Sequence, residues 1–273
     1  MADGNALKAM VSFFTIWQQD LTQEDMDAMD REFHLVPVVG ALMGLAVLVV
    51  AGLVFYLQMR GIVLSNMFMA IAVMATAYVG SRFLHFDGLA DFGDGSVVAG
   101  TQEDHVRALK DTLIGAGALG VALVVTLINF SEYTMAGYLL VAFAPITEVL
   151  VKNAQVACAA FGMPGNGMAG RQVSETGVTS MWKSTGISLV LAILFSIVGV
   201  LVIGAICDLP VYIEDVVFAA LFGLIASVVS GYLMARRSNR VFGMVNGDIL
   251  GATNEISRAA IMLVMVVVFS MVM

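Results

Sequence analysis

Charge is what this 273-residue chain has least of. Asp, Glu, Lys and Arg make up only 12% of it, about half the usual share of a soluble domain, while 60% of it is hydrophobic. With a mean hydropathy of +0.93, that scarcity excludes an ordinary water-soluble fold. Basic residues are rarer than acidic ones, 13 against 21, for a net charge of −8. An acidic, lipid-embedded chain is no nucleic-acid binder. Much of the acidic excess is one solvated stretch holding Asp20, Glu24, Asp25, Asp27, Asp30 and Glu32. The two cysteines, Cys158 and Cys207, sit in apolar surroundings at opposite ends of the expected topology, which excludes a disulfide between them. No basic segment precedes a short apolar core near residue 1, so a cleavable signal peptide is not expected. No repeat or long linker divides the chain either, so it reads as one integral domain.

What it has in abundance is long apolar runs. Seven approach the ~20 residues needed to cross a bilayer: 36–58, 62–80, 113–130, 135–151, 185–207, 216–234 and 256–273. The expectation is an all-α polytopic membrane protein with about seven transmembrane helices. Residues 1–35 form a cytoplasmic amphipathic segment, with Met26, Met29 and Phe33 on its membrane side, and 36–273 the transmembrane catalytic domain. Cytoplasmic loops carry an excess of Lys and Arg. Placing residue 1 inside puts 12 of the 13 basic residues on the inner side, counting Arg258 at the start of the last span; only Arg60 lies outside. The chain is therefore expected in the cell membrane, with its charged motifs facing the cytoplasm.

The most informative of those motifs is His85-Phe-Asp-Gly-Leu-Ala-Asp-Phe-Gly-Asp-Gly95, at the end of a span. Offsets of 4 and 7 place Asp87, Asp91 and Asp94 within roughly 60° of one another on a helix. Three like charges on one stripe repel unless a cation sits among them. A hard divalent cation suits oxygen ligands, and Mg²⁺ usually brings a phosphate with it. A second acidic helix start, Asn246-Gly-Asp-Ile-Leu-Gly-Ala-Thr-Asn-Glu255, follows Arg236, Arg237 and Arg240 on the same side of the membrane. Asp248 and Glu255 share its face, and Gly247 and Gly251 would let a backbone or phosphate approach. Arginine neutralises phosphate oxygens in a fork, although positive-inside anchoring explains these three as well. Charge beside membrane helices is expensive, which favours function over a solvated surface.

Weaker signals lie between. Lys110-Asp111 is a juxtamembrane anchor or a phosphate contact, and His85 an idle interfacial imidazole or a contact to phosphate or ligand. The glycine-rich stretch 162–171 is a connection or a lid. Glu148 and Lys152, four apart, are expected to neutralise each other.

Taken together these residues resemble the cobalamin synthase family, adenosylcobinamide-GDP ribazoletransferase. The resemblance rests on His85, Asp87, Gly88, Leu89, Ala90, Asp91, Asp94 and Gly95, on Lys110-Asp111 with Gly115, and on Gly247, Asp248, Gly251, Ala252 and Glu255. Phe13-Phe-Thr15 and Val36-Pro-Val-Val-Gly40 fit as well, so it runs over nearly the whole chain. It departs at Leu113, where the family often has Arg, and at Asn246, where it has Thr. The resemblance implies a Mg²⁺-dependent transferase that joins adenosylcobinamide-GDP to α-ribazole or its 5′-phosphate and releases GMP. It implies Asp87, Asp91, Asp94 and Asp248 as metal ligands and Glu255 as base or outer ligand. His85, Lys110, Asp111, Arg240 and Asn246 are the expected substrate contacts. A homo-oligomer is compatible with this reading, but no residue specifies one.

Two other readings compete. A CDP-alcohol phosphotransferase of lipid synthesis also clusters aspartates at a membrane face, but in one continuous segment and with Arg where Asp91 stands. A cation transporter would put its carboxylates near the bilayer midplane on broken helices.

Overall fold

Helix starts in the computed structural model, which describes residues 4–272, follow local capping chemistry. Asn5, Thr22, Ser65 and Thr101 each turn a side-chain oxygen onto a free backbone N–H, opening α1 (Ala6–Phe14), α2 (Gln23–Arg31), α4 (Asn66–Gly80) and α6 (Gln102–Leu109). Pro37 sits in the first turn of α3 (Val36–Met59), where its missing N–H costs nothing. The remaining helices are α5 (Leu84–Val97), α7 (Ala116–Ala136), α8 (Leu140–Phe161), α9 (Met168–Glu175), α10 (Val178–Ile206), α11 (Ile213–Val241) and α12 (Gly247–Val272). No strand forms among the described residues, only an isolated bridge between Pro164 and Val245. The all-α expectation holds.

The bundle is built around α8, buried on every side from Leu140 to Ala159 and packed against α3, α10, α11 and α12. Its neighbours close on it through Gly40, Gly199 and Gly231, where an added methyl would meet α8 atoms within 2.5 Å. Small residues let helices associate this way where lipid supplies no hydrophobic drive.

By length and hydropathy, five helical stretches can cross a membrane, or up to six if a bent pair counts as one span, against the seven expected. The differences have physical causes. Residues 62–65 are not helical, which leaves α4 with 15 residues, about 22 Å long at 1.5 Å per residue. The expected spans 113–130 and 135–151 merge into one helical run, Ala116–Phe161. Within that run the chain reverses at Gly137 (φ 55°), beside Asn66 of α4, so the α7 start and the middle of α8 both return to α5.

The N-terminal segment forms two helices, α1 and, in its acidic stretch, α2. Asp25 ties them together, accepting from the backbone N–H of Asn5 and from Lys8 Nζ at 2.8 and 3.2 Å. Those bonds, with one from the Thr22 backbone, hold its carboxyl well below the usual carboxylate range. Met29 and Phe33, expected on the membrane side, instead face protein and are almost fully buried. Residues 1–3 of the expected segment and Met273 of the last span lie outside the described residues.

Candidate active site

The first acidic motif sits on α5, which leaves α4 at a 90° bend. The bend is made by Arg82 (φ 54°) and Phe83 (φ 57°), two consecutive non-glycine residues in the left-handed region. Such residues cost of order 1–3 kcal/mol each and persist only where surrounding structure holds them. Here Arg82 donates to the Phe13 carbonyl at 2.8 Å, pinning the bend to the end of α1. Turning α5 sideways swings its acidic face against the start of α12.

The two acidic helices touch through glycine. A methyl on Gly88 would lie 2.7 Å from the Asp248 carbonyl oxygen, and one on Gly251 would lie 3.3 Å from the Gly88 Cα. Gly247, the other glycine expected to matter, has only ordinary contact with Ala169. Through this crossing Asp87 and Asp248, 161 positions apart in sequence, line one cavity of about 260 Å³. Asp91 stands alongside, within reach of the charges of Asp248, Asp87 and Asp94. Asn246 starts α12: its Oδ1 accepts from the Ile249 N–H and its Nδ2 donates to Asp248 Oδ2, at 3.1 and 2.8 Å.

The other expected site residues are placed less uniformly. Asp94 accepts from the N–H groups of Gly115 and Ala118, at 2.6 and 2.8 Å, and so caps α7. Lys110 is exposed, yet its charge reaches Asp248. Asp111 accepts from the Leu113 N–H at the turn before α7. Arg236, Arg237 and Arg240 are exposed at the end of α11 and line no part of the cavity.

Glu255 is 1% exposed, two turns into α12, where it accepts from Asn254 Nδ2 at 2.9 Å and pairs with Arg258 at 3.4 Å. Arg258 also grips Glu148 and donates to the Tyr133 hydroxyl at 3.0 Å. Glu148 therefore pairs with Arg258, not with Lys152. The Lys152 ammonium donates instead to His85 Nε2 at 2.5 Å and to Asn254 Oδ1 at 2.8 Å. This buried chain of partners runs under the cavity floor and orients His85, which stacks on Phe14 with centroids 5.9 Å apart.

Several lining residues were not among the expected site residues. Phe13, Phe14, Met29 and Phe33 from the N-terminal helices form an apolar wall, and Met168 and Gln172 of α9 face it. The glycine-rich stretch before α9 is thus more than a connection. Met163 accepts from the Val245 N–H at 2.6 Å, next to the second acidic motif, and α9 covers the cavity. Arg171 on α9 pairs with Asp27 of α2 at 3.3 Å, joining the two covering pieces.

Among the described residues no three His, Cys, Asp or Glu side chains stand ready to enclose a metal ion. Mg²⁺ demands less than that. It is usually held by one or two carboxylates, with phosphate and water completing the set. The oxygen donors Asp87 and Asp248 on one cavity fit it.

The family model described as cobalamin-5-phosphate synthase matches residues 6–266. An adenosylcobinamide-GDP ribazoletransferase of Methanocella arvoryzae is 32% identical over 271 residues, covering 96% of this chain and 95% of its own. Proteins of the same name from Methanosarcina mazei and Thermococcus gammatolerans are 29% and 35% identical, covering 96% and 70% of this chain and 91% and 73% of their own. No solved structure matches. A match over nearly the whole sequence settles the family: the chain belongs to the cobalamin-5-phosphate synthases.

Proposed function

We propose that this transferase joins adenosylcobinamide-GDP to α-ribazole or its 5′-phosphate, releasing GMP and completing the nucleotide loop of adenosylcobalamin. The observation that carries the reading is the convergence of Asp87 and Asp248 on one cavity at the α5–α12 crossing. In the reaction a ribose hydroxyl attacks the phosphorus on the corrinoid arm. A new O–P bond forms, the P–O bond to GMP breaks, and its electron pair leaves on the GMP phosphate. The hydroxyl proton passes to whichever of Asp87, Asp91 and Asp248 is free of metal.

Asp87, Asp91 and Asp248 would hold Mg²⁺, which when bound neutralises the diphosphate and the leaving group. Asp94 contributes by fixing α5 to the start of α7. Glu255 acts from below, holding Arg258 and Asn254 rather than taking the proton. Lys110 supplies the cation nearest Asp248, and Asp111 shapes its turn. Arg240 remains a candidate for the outer phosphate or the corrinoid periphery. The exposed Arg82, Arg107, Lys110, Arg171, Lys183, Arg236, Arg237 and Arg240 support a cytoplasmic site in the cell membrane. Acids drawn from two distant segments argue against a CDP-alcohol phosphotransferase. Pairing of Glu148, Glu255 and Arg258 with one another argues against an ion pathway.

Purified protein in detergent should release GMP from adenosylcobinamide-GDP only when α-ribazole or its phosphate is present, and EDTA should stop it. GMP release unaffected by EDTA would remove Mg²⁺ from the scheme, and no release would remove the reaction.

Gly88→Ala tests the crossing itself. Its methyl collides with backbone, which cannot step aside, so α5 and α12 must separate. A displacement near 1 Å at a reacting centre costs about a hundredfold in rate. That loss is expected in GMP release, with the protein still purifying as a folded species. Wild-type turnover would show that the crossing does not position the carboxylates.

A further inference from the structure

The flank of the bundle formed by α1, α3 and α10 holds two adjoining hollows of opposite character. The inner one, about 430 Å³, is walled by Leu7 and Val11 of α1, Val38 and Leu45 of α3, and Leu191 and Val198 of α10, and no polar side chain lines it. The outer one lies where α3 and α10 begin, and His34, Trp182, Lys183 and Gly186 line it. Val38 and Leu191 line both, so the apolar slot opens into the polar mouth. A slot without polar groups that ends at a cation has the pattern of an amphiphile.

The dimensions and the charges narrow that pattern. From Lys183 to Val198, α10 rises about 22 Å at 1.5 Å per residue. That is the depth of one leaflet, head and tail together, roughly half of the ~40–45 Å of a bilayer with its headgroups. Lys183 is exposed and takes part in none of the ion pairs among the described residues. Trp182 beside it is 64% exposed, as suits an indole at headgroup depth. His34 is engaged with Glu32 at 3.5 Å, which keeps that carboxylate occupied and leaves Lys183 to an outside anion. At Gly186 an added methyl would meet nothing within 4 Å, so the mouth stands open. A lipid on an ordinary helix pair has two walls, whereas α1 supplies a third here.

We propose that this flank binds one phospholipid, its phosphate on Lys183 and one acyl chain between α3 and α10, under Leu7 and Val11. The chain buries its apolar surface in the slot, and the ammonium donates to the phosphate oxygens. α1 then packs between two binding sites, because Phe13 and Phe14 at its other end line the cavity that holds Asp87 and Asp248.

Native mass spectrometry of the full chain in detergent tests this without recourse to turnover. The probes are dioleoyl phosphatidylglycerol, dioleoylglycerol (tails without phosphate) and glycerol 3-phosphate (head without tails). Phosphatidylglycerol should saturate at one tightly held copy per chain, dioleoylglycerol should bind about fivefold more weakly, and glycerol 3-phosphate should not be retained. Lys183→Gln should weaken phosphatidylglycerol about fivefold, the scale for one basic residue at a membrane surface, and leave dioleoylglycerol unchanged. Gly186→Phe should block the mouth, and the thermal midpoint should hold because the ring enters open space. Lys183→Gln, at an exposed position, decides alone if that variant does not fold. Equal retention of phosphatidylglycerol and dioleoylglycerol, phosphatidylglycerol binding indifferent to Lys183→Gln, or a series of equivalent lipids with none held more tightly overturns the proposal. So does a dimer in place of the lipid-bound monomer, which would give the flank to a second copy of the chain.

Discussion

Asp248→Asn is expected to abolish GMP release while the protein still folds. Asp248 is half-buried in a cavity it shares with Asp87, beside Asp91, and Lys110 is the cation whose charge reaches it. Removing one charge from a set of mutually repelling carboxylates relieves the metal-free protein, so its thermal midpoint without Mg²⁺ should hold or rise. The neutral amide keeps an oxygen for Asn246 but is a poor ligand for a hard cation. The loss in turnover should be at least about a hundredfold, the scale for removing one electrostatic element from a preorganised site. Asp87→Asn should behave alike. Near-normal turnover with an unchanged Mg²⁺ requirement would take Asp248 out of the metal's coordination.

The largest effect on stability belongs to Arg258. Its guanidinium is buried among Glu148, Glu255 and Tyr133, with both carboxylates equally buried. In Arg258→Met the two acids lose their cation in a setting with little water to replace it. Removing one partner of a buried ion pair costs about 3–5 kcal/mol, because the other charge is stranded. The thermal midpoint in detergent should fall sharply, with poor recovery of monodisperse protein. Glu148→Gln combined with Arg258→Met should be less destabilised than Arg258→Met alone, since one stranded charge is gone. A single variant as stable as the parent would mean that the buried charges contribute no net stability.

The acidic core of the site was legible because charge on an apolar background is conspicuous. Asp87 and Asp91 needed only helical spacing to be grouped, Asp248 was joined to them by its side of the membrane and the family resemblance, and the structure brings the three together. Partners far apart in sequence were not legible. Glu148 and Lys152 looked like a local pair, but Arg258, 110 residues from Glu148, competes more strongly through its fork of donors. Gln155 and Gln172 carry no charge and stand in no motif, so nothing distinguished them before the structure placed both residues beside the cavity. The one-sided pattern of Met26, Met29 and Phe33 was correct as a pattern. Periodicity reports an apolar face, not whether lipid or protein covers it. The all-α membrane architecture was plain from composition. The count of spans was not. The sequence break near Glu132 separates two spans, but helix continues through it as Ala116–Phe161, and the chain reverses only at Gly137.

The cavity wall draws on Phe13, Phe14, Met29 and Phe33 near one end of the chain and on Gly247, Asp248, Leu250 and Gly251 near the other. A ribosome makes the first group more than 200 residues before the last. While the helices between are being inserted, the N-terminal pair has no α12 to close against, and its apolar face has to wait at the membrane surface. Reactive chemistry toward a nucleotide is thereby withheld until α12 has been made. A nascent chain arrested before α12 would hold one acidic motif without the other, and only part of this cavity's wall.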